Sequence, residues 1–359
     1  MTDSAFEPLP FARGPAMKNR FVLSPLTNMQ SHPDGRLSEE EHRWLQMRAA
    51  GGFGLTMTCA TSVQAVGKGF QGQLGAFSDD HLEGLARLAG SIRAAGSVSA
   101  VQLHHAGSRA PAELVGQPVS SSDDAAGGVR ALTTAEVEQL VEDFVAAAAR
   151  VDRAGFDGVE IHGAHGYMLT QFLSPETNRR QDRYGGSLEN RARIVFEVVD
   201  GARRRCRPDF QIGLRLSAER FGLRLGEMRD VAQELMDQGR VDYLDMSLWD
   251  YAKAPEDDGF KGRSLMSWFT DLRRGAVRLG VVGKIATASQ AFEALSQGAD
   301  FVLIGRAAIL HHDFPDLAKR DRDFRAVATP VTPAYLHSQG VSPAFVDYIR
   351  SFKDFVTAS

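Results

Sequence analysis

The chain has 359 residues, 43% of them hydrophobic and 24% charged, with a formal net charge of −4. This is ordinary for a globular fold, and the scattered Lys and Arg residues make no basic stripe for nucleic acid or an anionic membrane surface. Two cysteines, Cys59 and Cys206, with no Cys-x-x-Cys pair exclude a disulfide framework, a zinc ribbon and a cysteine-ligated iron–sulfur cluster.

The opening residues, Met1 to Pro10, carry neither the basic nor the apolar region of a signal peptide. No run approaches the ~18 uninterrupted apolar residues of a spanning helix. A cytoplasmic protein without a membrane partner is expected. Along the chain one unit then recurs: an apolar strand, a connection, an amphipathic helix, and a breaker before the next strand. Strands are expected at Phe21–Ser24, Phe53–Cys59, Val98–His104, Phe156–Ile161, Gln211–Leu216, Val241–Ser247, Val281–Ile285 and Asp300–Ile304.

Gly51, Gly96, Gly155, Gly239, Gly280 and Gly298 stand at the helix-to-strand junctions, where a left-handed residue ends a helix cheaply. Pro208 announces the fifth strand instead. Ser38 with Glu41, and Thr133 with Glu136, read as capping boxes. Val137, Leu140, Val141, Phe144, Val145, Ala148 and Val151 recur at helical spacing and give one apolar face. Apolar strands alternating with such helices indicate a parallel sheet covered on its outer face. Eight units favour a closed (β/α)8 TIM barrel over an open sheet. The expected organisation is a single α/β domain over 1–359 with a short C-terminal helical extension. The long connection Ala106–Leu132 and the polar excursions Leu169–Ser187 and Leu248–Ser264 all follow strands. They therefore fall on the C-terminal face, where barrel active sites lie.

The groups at the strand ends should converge there. Strand one ends in Ser24-Pro25-Leu26-Thr27, strand two in Ala60, and strand three carries Gln102 beside His104 and His105. Strand four delivers His162-Gly-Ala-His165-Gly-Tyr167, two imidazoles and a phenol that can donate hydrogen bonds and protons. Strand five carries Arg215. Gly283-Lys284 and Gly305-Arg306 end strands seven and eight, where barrels often bind phosphate through backbone N–H groups and a helix N-terminus. Each motif also has a plainer reading. The glycines serve turns and Arg306 is a solvated charge; Arg215 pairs with Glu160; the histidines pack structurally, or ligate a metal with Glu160. Phe70, Trp249, Tyr251, Trp268 and Phe269 are aromatic candidates for a pocket wall or for loop packing.

Several long motifs in order resemble the Old Yellow Enzyme family of FMN-dependent oxidoreductases. They are Lys18–Thr27, Gln102-Leu-His-His-Ala-Gly107, Glu160-Ile-His-Gly-Ala-His-Gly-Tyr167, Phe172–Pro175, Asp182–Ser187, Glu189–Arg191 and Ile304–Arg306. The resemblance implies FMN across the C-terminal mouth of the barrel. Ser24, Pro25, Leu26 and Thr27 would line the flavin, with the Thr27 hydroxyl near its O4 and N5 edge. Ala60 and Gln102 would contact its pyrimidine portion, Arg215 would face N1 and O2, and Gly283, Lys284, Gly305 and Arg306 would hold the phosphate, the lysine partly through its backbone. His162 and His165 match the pair that binds a substrate carbonyl, and Tyr167 the proton donor.

The activity implied is that of an ene reductase. NADPH or NADH reduces FMN, and hydride then passes from flavin N5 to the β-carbon of an activated alkene while Tyr167 protonates the α-carbon. The alternatives are an FMN-dependent oxidative demethylase or amine dehydrogenase, and, from another class, a flavin-free metal-dependent barrel lyase. Partners are a small-molecule substrate and the nicotinamide, and a homo-oligomer is admitted but not required. The chain has Thr27 and Met29 where one bacterial branch has cysteine and tyrosine. From Thr332 to Ser359 no arginine is evidently placed to reach a neighbour's active site as in that branch.

Overall fold

The computed structural model describes residues 3–357. Met1, Thr2, Ala358 and Ser359 of the expected 1–359 domain lie outside the described residues. Eight parallel strands close into a barrel in sequence order: β1 (Phe21–Leu23), β2 (Leu55–Ser62), β3 (Val98–His104), β4 (Gly158–Gly163), β5 (Gln211–Ser217), β6 (Tyr243–Ser247), β7 (Arg278–Val282) and β8 (Phe301–Ile304). Strand β8 returns to β1 through Phe21↔Val302 and its neighbours, which closes the ring. The expected α/β barrel is the fold.

Helices cover the outside. The helix Thr134–Arg153 starts with the expected Thr133/Glu136 capping box and buries Val137, Leu140, Phe144, Val145, Ala148 and Val151. Val141 is half-buried at the edge of that face. Each fully buried large apolar side chain contributes roughly 1.5–3 kcal/mol. A second, smaller core fills the barrel itself: Val22, Leu55, Met57, Val98, Ala100, Tyr243, Phe301 and Leu303. Leu9 and Met17, paired across an antiparallel bridge, join this core, and Phe11 packs on Tyr243 at 5.8 Å. The N-terminal hairpin thereby plugs the barrel.

Four sequence expectations need correction. Strand β7 runs Arg278–Val282, not Val281–Ile285, because its ladder with β6 begins at Tyr243↔Arg278. Gly280 consequently lies inside a strand instead of ending a helix. It faces Phe301, its register partner, just as Gly213 faces Tyr243. A β-carbon at either glycine would come within 2.1 Å of the opposing ring. Bulk from one strand is accommodated by its absence on the next.

At the end of helix Glu39–Ala50, Gly51 has φ −77° and the left-handed turn falls to Gly52, at φ +100°. Ser38 caps this helix, but Glu41 does not complete the box. Its carboxyl turns inward to Asn28 Nδ2 at 3.0 Å and to the Ser31 hydroxyl. Burial raises the pKa of this fully enclosed carboxyl, which ties the Thr27 loop to the helix. Finally, Leu169–Ser187 does not begin as a polar excursion. Met168–Leu173 is a buried helix, since Met168, Leu169, Phe172 and Leu173 have core to pack against.

Gly280→Val should therefore destabilise the fold by about 1–3 kcal/mol, read as a lower denaturant midpoint. Phe301→Leu in the same chain should restore part of that loss. An unchanged midpoint in the single variant would contradict the packing account.

Candidate active site

Side chains alternate along a strand, so residues two apart share a face. Toward the C-terminal ends of four consecutive strands this places inward pairs of polar groups: Gln102 and His104 on β3, Glu160 and His162 on β4, Arg215 and Ser217 on β5, Asp245 and Ser247 on β6. Register aligns them, with Gln102 opposite Glu160, His162 opposite Arg215, and Arg215 opposite Asp245.

The lower tier is charged and buried. Gln102 Nε2 donates to Glu160 Oε1 at 2.7 Å. Arg215 Nε lies 3.1 Å from Asp245 Oδ2, so the ion pair is with Asp245 and not with Glu160. The two groups are close enough to attract but not aligned for a hydrogen bond, and Arg215 Nε, both Asp245 oxygens and Glu160 Oε2 remain without a hydrogen-bond partner. Burial pushes both carboxyls up in pKa. For Glu160 the neighbouring Asp245 adds to the rise, and Arg215 opposes it.

Above this floor stand four rings. His104 meets Tyr167 at 4.5 Å and His162 at 5.2 Å, and His162 meets both His165 and Tyr167 at 5.2 Å. His165 has a left-handed backbone, φ +63°, held by its N–H on Ser217 Oγ at 3.0 Å. Its Nε2 lies 2.7 Å from Ser247 Oγ. The backbone N–H of Ala164 points at His162 Nδ1, at 3.4 Å, which leaves Nε2 to carry the proton. Arg109 donates to the His165 carbonyl and lies 4.8 Å over the Tyr167 ring. Burial holds His104, His162 and His165 well below the usual imidazole pKa; nearby positive charge from Arg109 adds to this in all three. These rings are neutral N–H donors.

The other candidate residues surround the same mouth. Ser24 is buried and Pro25, Leu26 and Thr27 are half-buried in the loop after β1. A bulge in β2 between Met57 and Ala60 resets the register so that Ala60 opposes Gln102. Gly283 and Lys284 lie just beyond β7, Lys284 in a left-handed turn with φ +53°. The exposed Lys284 ammonium pairs with Asp250 at 3.2 Å. Gly305 precedes the helix Arg306–Leu310, which no side chain caps. A β-carbon on Gly305 would meet nothing nearer than Leu26 Cδ2 at 3.9 Å. Among the described residues no carboxylate pairs with Arg306.

Sequence reasoning missed Asp245, Ser217, Ser247 and Arg109, and gave His104 no role of its own. The two-residue alternation Asp245/Ser247 and Gln102/His104 is the signal that finds most of them. Of the aromatic candidates, Tyr251 and Phe269 belong to the core and Trp268 packs on Phe260 at 5.0 Å. Trp249 is 59% exposed and shares a recess with His165, Ser217, Phe221 and Ser247. Phe70 packs half-buried against the core.

Residues 4–324 match the model of the NADH:flavin oxidoreductase / NADH oxidase family. The chain belongs to this family. It is 36% identical over 330 residues to a probable NADH-dependent flavin oxidoreductase, YqiG, of Bacillus subtilis, covering 89% of this chain and 88% of the relative. To the NADPH dehydrogenase of Bacillus licheniformis it is 35% identical over 317 residues, covering 86% and 92%. The solved Old Yellow Enzyme homologue of Zymomonas mobilis superposes with a TM-score of 0.78 at 26% identity, covering 96% of this chain and 99% of that one. The protein is accordingly an Old Yellow Enzyme-type oxidoreductase whose cofactor is FMN and whose reductant is a nicotinamide. The flavin-free reading gives way to this. No helix among the described residues is long and apolar enough to cross a membrane.

The site's chemistry fits FMN. The unpartnered buried polar atoms at the floor suit the alternating donors and acceptors of a flavin's pyrimidine edge. The open space at Gly305, the uncapped helix and the unpaired Arg306 suit a phosphate.

Because an unfolded chain protonates histidine near 6.5 and the folded chain resists it, stability should fall as pH drops below about 6.5. NMR of the imidazole nitrogens should show His162 and His165 still neutral at 6.5. A titration midpoint at or above 6.5 for either ring would contradict the burial argument.

Proposed function

We propose that the protein is an NAD(P)H-dependent ene reductase, built as one FMN-binding barrel whose C-terminal helices extend it. The observation that carries this reading is the cluster of neutral rings, His104, His162, His165 and Tyr167, at the end of β3 and β4. Ser24 to Thr27, Ala60, Gln102 and Arg215 would hold the flavin ring, and Gly283, Lys284, Gly305 and Arg306 its phosphate. Bound FMN supplies the two-electron store that takes hydride from the nicotinamide and gives it to the β-carbon of an activated alkene.

The chain's own residues do the rest. His162 and His165 offer N–H groups to the substrate's carbonyl or similar oxygen. Negative charge grows on that oxygen as hydride arrives at the β-carbon, so donors there bind the transition state more tightly than the ground state. Neutral imidazoles suit the task, since they polarise the oxygen without the cost of a buried cation. Tyr167 gives its phenolic proton to the α-carbon, its ring held in place beneath Arg109.

The protein should be yellow when purified, bleach anaerobically with NADPH or NADH, and recolour with 2-cyclohexenone. Tyr167→Phe should slow recolouring by about 10²-fold or more and leave bleaching nearly unchanged, measured by stopped flow. Equal slowing of both half-reactions would remove Tyr167 from the proton-donor role. Failure of every activated alkene to reoxidise the flavin would overturn the reading.

A further inference from the structure

Two buried aspartates at β6 are treated by the fold in opposite ways. Asp242, just before the strand, accepts from Arg13 at 3.0 Å, from Arg203 at 2.7 Å and from the Ile212 backbone N–H at 2.8 Å. A buried structural carboxylate is ordinarily satisfied in this way. Asp245, three residues on, is just as fully enclosed, yet neither of its oxygens has a hydrogen-bond partner. Its one charged contact among the described residues is Arg215 Nε, 3.1 Å away on β5. Asp245 therefore does little to knit the barrel together. What it brings to this position is charge.

No second carboxylate is in contact with Arg215 among the described residues. Glu160, on β4, accepts instead from the neutral amide of Gln102 at 2.7 Å. Burial raises the pKa of both acids. For Glu160 the charge of Asp245 raises it further, against a smaller lowering by Arg215, whereas Asp245 is only drawn back down by Arg215. The proton thus rests on Glu160 and the negative charge on Asp245. Tyr243, two residues before Asp245 on the same face of β6, is a phenol that burial keeps protonated. The floor of the mouth carries one cation and one anion.

We propose that Asp245 is a positioning residue for Arg215 that sets the flavin's reduction potential, by holding the guanidinium in place and offsetting part of its charge. The proposal rests on the reading above, in which Arg215 holds the flavin ring at its N1 and O2 edge. Two-electron reduction makes that edge more electron-rich, and a cation beside it favours the reduced form. A carboxylate 3.1 Å from the cation takes back part of this gain. The ring then meets a small net field where Arg215 alone would present a full positive charge. Removing the anion should make the flavin easier to reduce.

The test is the midpoint potential of the FMN-bound enzyme near neutral pH. Asp245→Asn keeps the shape of the side chain and removes its charge. It should shift the redox equilibrium toward reduced flavin by about tenfold, about 30 mV for a two-electron couple. Glu160→Gln, which keeps an acceptor for Gln102, should leave the potential where it is. Asp245→Ser, which admits water beside Arg215, gives the same reading if the asparagine variant does not fold. An unshifted or lowered potential in the Asp245 variants, or an equal rise in Glu160→Gln, would overturn the tuning role. Loss of folding in both Asp245 variants would also overturn it, by making the carboxylate a structural requirement. A wild-type protein that binds no FMN would overturn both this role and the functional reading beneath it, whereas a yellow, alkene-reducing enzyme with unshifted Asp245 variants would overturn this role alone.

Discussion

The mouth of the barrel depends on a guanidinium buried between two carboxyls. Arg215 is nearly inaccessible, with Asp245 3.1 Å away on the next strand and Glu160 on the strand before. Charges taken out of water at this depth are costly unless they are paired. The arrangement holds two potential negative charges and one positive, which is why burial drives the carboxyls toward protonation. Gln102 fixes Glu160 by donating to it, and His162 sits opposite Arg215 in register. Positive charge below the rings then helps to keep His162 and His165 neutral. The floor and the ring cluster are one electrostatic unit. Removing Arg215 would leave carboxyls facing imidazoles that could then protonate.

That unit exists because of the barrel's geometry. Parallel strands in a fixed register bring groups from β3, β4, β5 and β6 to one level, and alternation aims every second side chain inward. The N-terminal hairpin and the facing Gly–aromatic pairs, Gly213 with Tyr243 and Gly280 with Phe301, fill the barrel below. The polar level therefore rests on a packed apolar one. The loops then act on residues whose backbone is already set.

How much of this was legible in the sequence depends on distance along the chain. His162, His165 and Tyr167 lie within six residues, so their convergence could be read directly. The eight strands could be read from apolar runs and breakers, and seven of them lie close to where they were expected. Strand β7 was misplaced because Gly280 looks like a helix stop when only its neighbours are considered. Its reason for being glycine, the Phe301 ring, comes from another strand. Asp245 escaped notice because one acid in Tyr-Leu-Asp-Met-Ser means little until register sets it beside Arg215. Local chemistry is written locally; pairings across strands are not.

In the proposed reaction, neutral donors at the end of β4 anchor an electron-withdrawing oxygen while Tyr167 supplies the proton beside it. Isotopic labelling of the product of an activated alkene tests this most directly. With nicotinamide deuterated at its transferable position, deuterium should appear at the β-carbon; with ordinary nicotinamide in deuterated water, it should appear at the α-carbon. Label from the solvent at the β-carbon, or no label from the nicotinamide in the product, would contradict the account.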